Sequence, residues 1–290
     1  MFRGLVCHDR TLECEACPLR GACPYPAVFM PAALPARASI ARLREPPRPF
    51  VFAETAPERA TLAAVEPVDL DLVVVGEVHR LLPYFVVTLR QLGADGIGPR
   101  GARFTLSRVH ATDAVGVPTE ASYHHGASDV RAVAVPLRAS DLARPGDTHA
   151  TRVRVRFRTP TEITKKGPAG TPAPQPVEAP PFGALLRRAR DRASALATLY
   201  CERPLAIDPR GLGAAADRVT LLHATVRQAS LLRKSSRTGE RHQLGGVLGE
   251  AVYEGPELGP LMPLLRLAEL LHVGKHATFG LGVVGVEVVA

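Results

Sequence analysis

The sequence predicts an α+β protein made of two consecutive βαββαβ units, of which the first is incomplete. Residues 147–290 alternate strand and helix patterns in the full order strand, helix, strand, strand, helix, strand. Residues 1–146 contain only the last four of these elements. A cysteine-rich segment, residues 7–23, precedes the first strand. The 290 residues suffice for two modest domains with cores of their own.

The composition favours a soluble protein with a polyanionic partner. The formal net charge of +8 favours a polyanion as partner, and nucleic acid is the leading candidate. No apolar run is long enough to span a bilayer, and the N-terminus lacks the basic-then-apolar order of a signal peptide. We therefore expect a cytoplasmic protein with no membrane partner.

Four of the five cysteines form one closely spaced group, Cys7, Cys14, Cys17 and Cys23. A C-x2-C pair flanked by two more thiols can surround a tetrahedral ion, so the group predicts a structural zinc site. An iron–sulfur cluster uses the same four thiolates and is an alternative. The remaining possibility is a set of reduced cytosolic thiols without a metal.

The rest of the first half predicts short strands around one helix. The strands cover residues 49–53, 69–76 and 103–109, and the helix covers residues 78–92. A glycine-rich turn connects the helix to the third strand. Residues 111–146 are expected to form a hairpin and a loop, with a polar tip at residues 123–126.

The second half predicts longer elements. Its strands cover residues 149–158, 219–228, 242–253 and 279–289, and its helices cover residues 182–200 and 258–271. Arginines alternate along the first strand and give it one basic face. Two further basic groups are candidate contacts to a polyanion, on the first helix and in the loop between the middle strands. They are Arg187, Arg188, Arg233, Lys234, Arg237 and Arg241.

A glycine-rich loop at residues 274–282 joins the last helix to the last strand. Gly274, Gly280 and Gly282 allow backbone N–H groups to approach a ligand and form an anion-binding nest, and Lys275 adds a positive charge. The expected ligand is a phosphate, either of a nucleotide or of a nucleic-acid backbone. The alternative is a plain glycine turn before a strand.

Several motifs in this order resemble the CRISPR precursor-RNA-processing endoribonucleases of the RAMP superfamily, whose domains are ferredoxin-like, or RRM-like. The motifs are Thr159-Pro160 after a strand, residues 182–188 on a helix, Ser235-Ser236-Arg237, residues 244–249, and the loop at residues 274–282. The segment from Cys14 to Tyr25 resembles a cysteine-bearing branch of that family. A series of motifs over roughly 140 residues is more specific than a single glycine loop.

The resemblance implies metal-independent cleavage of CRISPR repeat RNA on the 3′ side of a hairpin, which yields guide RNA. A base removes the proton of a ribose 2′-hydroxyl, which attacks the adjacent phosphate, while cations stabilise the developing negative charge. The candidate bases are His272, His276 and His8. This chemistry needs no cofactor, so a metal at the cysteines would be structural.

The same resemblance makes the basic residues and the glycine loop candidate contacts to repeat RNA and guide RNA. Only 5% of the residues are aromatic and none is Trp, so we expect recognition of the backbone and of the hairpin shape rather than base stacking. The product would stay bound and could pass to other subunits of an effector complex.

The N-terminus departs from the family pattern. In the family, a first strand and much of a first helix precede the cysteine segment, whereas Met1 here corresponds to a point partway through that helix. Either the true start lies upstream, or another segment, residues 112–140, supplies the missing strand.

Two other functions are left open. A non-catalytic RAMP subunit would cap guide RNA in an effector complex without cleaving it. A nucleotide-binding or scaffold protein unrelated to CRISPR would explain the glycine loop but not the ordered motifs.

Overall fold

The structure is a computed structural model that describes every residue except 34–45, 55–65, 99, 133–136, 164–179, 235–238 and 290. Arg237, which the sequence predicts to bind RNA, lies outside the described residues. The α-helices are α1 (Phe2–Val6), α2 (Pro24–Phe29), α3 (Leu82–Asp95), α4 (Phe182–Tyr200), α5 (Pro209–Asp217) and α6 (Leu258–Leu271). The strands are β1 (Phe50–Glu54), β2 (Leu70–Val74), β3 (Arg108–Thr112), β4 (Pro118–His124), β5 (Arg152–Thr161), β6 (Thr220–Lys234), β7 (Arg241–Glu254) and β8 (Val284–Val288). None of the described helices is long and apolar enough to cross a membrane.

The chain divides into two compact units. The first comprises Met1–Pro49, Val74–Leu142 and Ala195–Pro204, and the second comprises Phe50–Val73, Ala143–Ser194 and Leu205–Ala290. The predicted domains, residues 1–146 and 147–290, divide the chain at a single point, whereas these units alternate along it.

The second half of the chain contains the complete βαββαβ order that the sequence predicts. Its four strands form one antiparallel sheet in the order β6-β7-β5-β8. The two long helices, α4 and α6, begin and end at the predicted residues. The α+β prediction, with a ferredoxin-like arrangement of the second half, is confirmed.

The central strand β5 separates an apolar face from a basic one. Val153, Val155 and Phe157 are buried, and the arginines that alternate with them lie on the opposite face. Glutamates on the neighbouring strands pair with these arginines. The pairs are Arg152–Glu254 at 2.6 Å, Arg154–Glu287 at 3.1 Å and Arg156–Glu250 at 3.6 Å. The predicted basic face is therefore largely neutralised by its own sheet.

The hairpin formed by β6 and β7 is longer than predicted. β6 extends to Lys234 and β7 begins at Arg241, so Arg233 lies on a strand rather than in a loop. β5 pairs with β7 only as far as Val247, and the end of the hairpin extends beyond its neighbour. Leu231 and Leu232 are both exposed there. Residues 229–233 of β6 contain no buried residue and show no alternation of apolar and polar residues, which explains the short prediction.

The sequence did not predict α5 and placed the start of the last strand too early. The Asp208 carboxylate accepts from the N–H groups of Arg210 at 3.0 Å and Gly211 at 2.9 Å, which caps α5. Asp208-Pro209 was the available signal, but glycines in so short a segment reduce helix propensity. Residues 277–279 form a 3₁₀ turn, so β8 begins at Val284.

The strands of the first half form two separate two-stranded sheets within the described residues, β1–β2 and β3–β4. β3 begins at Arg108 rather than at the predicted residue 103. Its partner β4 lies within residues 112–140 and pairs only with β3 among the described strands, so replacement of the missing strand by this segment stays a prediction. The first half therefore lacks a four-stranded sheet in the part of the chain that the structure describes.

The predicted hairpin tip at residues 123–126 is wrong. The turn lies earlier, where the Asp113 carboxylate accepts from the N–H groups of Val115 at 3.0 Å and Val117 at 2.8 Å. Tyr123 is instead buried on β4, with the guanidinium of Arg90 over its ring.

Aromatic rings join the N-terminal helices. The ring centroid of Phe2 lies 5.0 Å from that of Phe29 and 5.7 Å from that of Phe85, and Phe2 and Phe85 are buried. These edge-to-face contacts pack α1 and α2 with α3. The five residues of α1 are therefore anchored despite the shortness of the helix.

Candidate functional site

The glycine-rich loop lies between α6 and β8 and consists of tight turns. His272, Gly274, His276, Gly280 and Gly282 have φ angles between 62° and 88°. Glycine adopts this region easily, whereas other residues rarely do. Two histidines at positive φ show that the tertiary structure, and not local preference alone, determines the path of the loop.

At two positions of the loop only glycine fits, because another segment of backbone lies against the Cα atom. A Cβ atom on Gly274 would collide with the backbone of Glu162, and one on Gly282 would collide with the backbone of Val273. The N–H of Val273 also donates to the Gly282 carbonyl at 2.8 Å and joins the two ends of the loop. These glycines therefore have a structural role that does not depend on a ligand.

The backbone amides of Gly280 and Gly282 already have partners. The N–H of Gly282 donates to the Pro160 carbonyl at 3.2 Å, and the N–H of Gly280 donates to the Ala277 carbonyl at 3.0 Å. This geometry does not support the prediction that these two amides cradle a phosphate. Side chains must then supply the positive charge at the loop.

An open hollow of about 190 Å³ lies beside the loop. Its lining residues are Glu162, Arg188, Asp191, Arg192, Gly274 and Lys275. Lys275 Nζ donates to Glu162 Oε1 at 2.5 Å, although the Lys275 side chain is 56% exposed. Exposed ion pairs of this kind stabilise a protein by about 0–1 kcal/mol. An RNA phosphate can therefore compete with Glu162 for the ammonium group.

The two predicted RNA-binding arginines of α4 lie in different surroundings. Arg187 donates to both carboxylate oxygens of Asp217 on α5 and to the Gly213 carbonyl at 3.2 Å. The hydrogen bonds from Arg187 lower the pKa of Asp217 below its ordinary value. A contact from Arg187 to RNA would require this pair to break. Arg188 lines the hollow, and its Nη1 lies 3.9 Å from Asp191 Oδ2.

His272 is a buried residue. Its side chain is 1% exposed, and neither ring nitrogen has a hydrogen-bond partner among the described residues. Burial, and next the charge of Arg192, lower the pKa of His272 to about 4, although the backbones of Ala277 and Leu281 act in the opposite direction. The ring is therefore neutral at physiological pH, and it is closed off from solvent.

Arg192, whose charge acts on the His272 ring, also binds the end of α6. Its Nε–H donates to the Leu271 carbonyl at 2.6 Å. A cation at the C-terminal end of a helix interacts favourably with the helix dipole. Arg192 therefore supports the loop structurally.

His276 lies at the surface of the loop, together with a side chain that the sequence did not single out. Its ring centroid is 6.1 Å from that of Phe279, which is 46% exposed. The Arg233 guanidinium lies over the Phe279 ring at 4.4 Å. No pattern in the sequence relates Arg233 to Phe279, because hydrophobic periodicity does not report contacts between distant elements.

The other predicted RNA-binding residues lie on the β6–β7 hairpin. Lys234 and Arg241 are opposite each other in the strand register, and Arg241 is exposed.

His8 and the four predicted ligand cysteines lie in the first unit. His8 is exposed and follows α1. Cys14 is buried, Cys7, Cys17 and Cys23 are half-buried, and all four are free thiols. The Cys7 thiol donates to the Asp9 carbonyl at 3.2 Å.

These cysteines do not form a metal-ligand set as they stand. In the described part of the chain, no three His, Cys, Asp or Glu side chains form a group that could hold a metal ion. Burial raises the pKa of the Cys14 thiol. A zinc ion or an iron–sulfur cluster would need a different arrangement, and its binding stays a prediction.

Comparison with known proteins gave family and structural matches. A family model described as CRISPR-associated endoribonuclease Cas6 matches residues 155–284, and a model described as an N-terminal domain matches residues 1–134. A Cas6 product complex matches with a TM-score of 0.53 at 16% identity, over 91% of this chain and 89% of that chain. A partial Cas6-RT-Cas1–Cas2 complex matches with a TM-score of 0.50 at 14% identity, over 82% of this chain and 38% of that chain.

Cas6 from Thermus thermophilus matches with a TM-score of 0.46 at 14% identity, over 84% of this chain and 81% of that chain. Comparison with curated proteins gave no match. At these identities, the structures with TM-scores of 0.53 and 0.50 establish the fold alone. The family model covers the glycine loop and the hollow beside it. Residues 155–284 of this chain therefore form a domain of the CRISPR-associated endoribonuclease Cas6 family.

Proposed function

We propose that this chain binds CRISPR repeat RNA and cleaves it on the 3′ side of the hairpin without a metal ion. The observation that carries the proposal is the Cas6 domain at residues 155–284, in which Lys275 and Arg188 line one hollow. Arg192 is a third cation in the lining, so three cations face two carboxylates there, and the excess positive charge suits a phosphate that gains negative charge during the reaction. The product would be guide RNA that ends in a 2′,3′-cyclic phosphate.

His276 is our candidate for the general base. It follows Lys275 directly and is partly exposed, whereas His272 is enclosed. A base must come within hydrogen-bond distance of the 2′-hydroxyl, which an enclosed ring cannot do without opening the loop. The 2′ proton would move to the imidazole while the 2′ oxygen bonds to phosphorus and the 5′ oxygen leaves. Lys275 would stabilise the charge that develops on the phosphate.

His272 is assigned a structural role by the same reasoning. Its neutral ring fills the interior of the loop at a positive φ. His8 remains a second candidate base, because it is exposed in the first unit.

Single-histidine variants test this assignment. Cognate repeat RNA is incubated in EDTA with wild type, His276→Ala, His8→Ala and His272→Leu, and cleavage and binding are measured together. We expect His276→Ala to slow cleavage by about 10²–10⁴-fold with little loss of affinity, as for the removal of a general base. His272→Leu is the matched control and should cleave at a rate near that of wild type. Loss of cleavage in His8→Ala alone would place the base in the first unit.

A second candidate function is capping of guide RNA without cleavage. It is favoured by the lining of the hollow, because no histidine among the described residues contributes to it. Wild-type protein that binds repeat RNA tightly and leaves it intact would support this function. Cleavage in EDTA would exclude it.

The proposal includes transfer of the product to other CRISPR proteins in the cytoplasm. One matched structure is a partial Cas6-RT-Cas1–Cas2 complex. Copurification of effector subunits with this chain, dependent on guide RNA, tests the transfer. Failure to copurify would confine the chain to RNA processing.

A further inference from the structure

Phe279 is an exposed aromatic residue on a rigid turn. Its side chain is 46% exposed. Its N–H donates to the His276 carbonyl at 2.8 Å, and the next N–H, of Gly280, donates to the Ala277 carbonyl at 3.0 Å. Both residues that bound the turn are left-handed, with φ of 62° and 80°. The ring is therefore presented to solvent by a fixed backbone.

A cation from another element stacks on this ring. The Arg233 guanidinium lies 4.4 Å from the centroid of Phe279, well within the range of a cation–π contact. Arg233 comes from β6, so two separate elements build the pair. The His276 ring lies beside the Phe279 ring in an offset stack, with centroids 6.1 Å apart and planes inclined by 29°, and Phe279 is still 46% exposed. A planar aromatic ring and a planar cation thus remain together at the surface.

We propose that Phe279 and Arg233 form a stacking platform for an unpaired nucleobase of the bound RNA. Aromatic rings and guanidinium planes are the groups on which proteins stack splayed-out bases. A phosphate would contact Arg233 but gains nothing from an exposed phenyl ring, so the ring indicates a base. The inference rests on the proposed RNA binding, and it replaces the expectation that the protein recognises backbone and shape alone.

A tryptophan reporter tests the platform directly. The natural chain contains no Trp, so Phe279→Trp introduces a single fluorophore at the platform. The probes are single-stranded oligoadenylate and an abasic ribose-phosphate oligomer of the same length. We expect quenching by oligoadenylate and little change with the abasic oligomer. The control Phe104→Trp carries its reporter at another exposed phenylalanine, 37% exposed in the first unit, and should not be quenched.

Affinity provides a second readout that does not depend on the reporter. Phe279→Leu should bind oligoadenylate about tenfold more weakly than wild type, with unchanged affinity for the abasic oligomer, and Phe279→Tyr should restore binding. Equal binding of both oligomers by wild type, without quenching in Phe279→Trp, would overturn the platform and leave the proposed function intact. Absence of binding to either oligomer and to repeat RNA would overturn both, and would point to a protein partner for this surface.

Discussion

Acidification should destabilise the fold through His272 before the carboxylates titrate. The pKa of His272 is lowered from 6.5 to about 4 in the folded protein, so the unfolded chain binds a proton more readily between these values. A depressed pKa of this kind stabilises the fold fully above pH 6.5, and the stabilisation is lost as the pH falls towards 4. A shift of about 2.5 units corresponds to about 3 kcal/mol in total, of which about 2 kcal/mol is lost by pH 5.

Urea unfolding at pH 7 and pH 5 measures this loss. The His272→Leu variant removes the titrating ring, so its free energy of unfolding should change by about 2 kcal/mol less than that of wild type between the two pH values. Asp147 is a buried carboxylate that should not change its charge between pH 7 and pH 5. Burial raises its pKa, but the hydrogen bonds and charge of Arg266 outweigh burial and hold the pKa below 3.8. Identical pH dependence in wild type and His272→Leu would refute the buried, neutral state of His272.

Three further predictions concern the cations, the loop and the cysteines. Lys275→Ala should weaken RNA binding and reduce the slope of log affinity against log salt by about one, measured by salt titration; an unchanged slope would exclude a phosphate contact. Arg187→Ala should lower the free energy of unfolding by about 1 kcal/mol, because its pair with Asp217 is more than a third exposed and is screened by water, and it should leave RNA affinity unchanged. Arg188→Ala should weaken RNA binding and leave the free energy of unfolding nearly unchanged. Elemental analysis should detect zinc that disappears in Cys14→Ser if the predicted metal site exists, and a metal-free wild type would contradict it.

The helices could be predicted from sequence more closely than the strands. α4 and α6 carry a long apolar stripe with clear ends, so their predicted bounds agree with the structure. The outer part of β6 pairs only with β7 and buries neither face, which leaves no pattern to detect. The predicted last strand begins at Phe279, the final residue of the turn at residues 277–279, because the apolar residues that follow adjoin those of β8.

The loop could be located from sequence, but the partners of its side chains could not. Glycine spacing identified residues 274–282, and the structure explains Gly274 and Gly282 by backbone contacts. The pairs Lys275–Glu162 and Arg187–Asp217 join residues far apart in the chain, so charge counting treated both cations as available. His272 resembled a candidate base until its burial was known.

The most direct test of the central claim is the chemistry of the RNA end. Cognate repeat RNA labelled at its 5′ end is incubated with wild-type protein in EDTA, and the product is treated with acid or phosphatase to identify its terminus. We predict a single cut 3′ of the hairpin, with a 2′,3′-cyclic phosphate on the labelled fragment. RNA that stays intact while bound, or that is cut only after a metal ion is added, would contradict the assignment of metal-independent endoribonuclease activity.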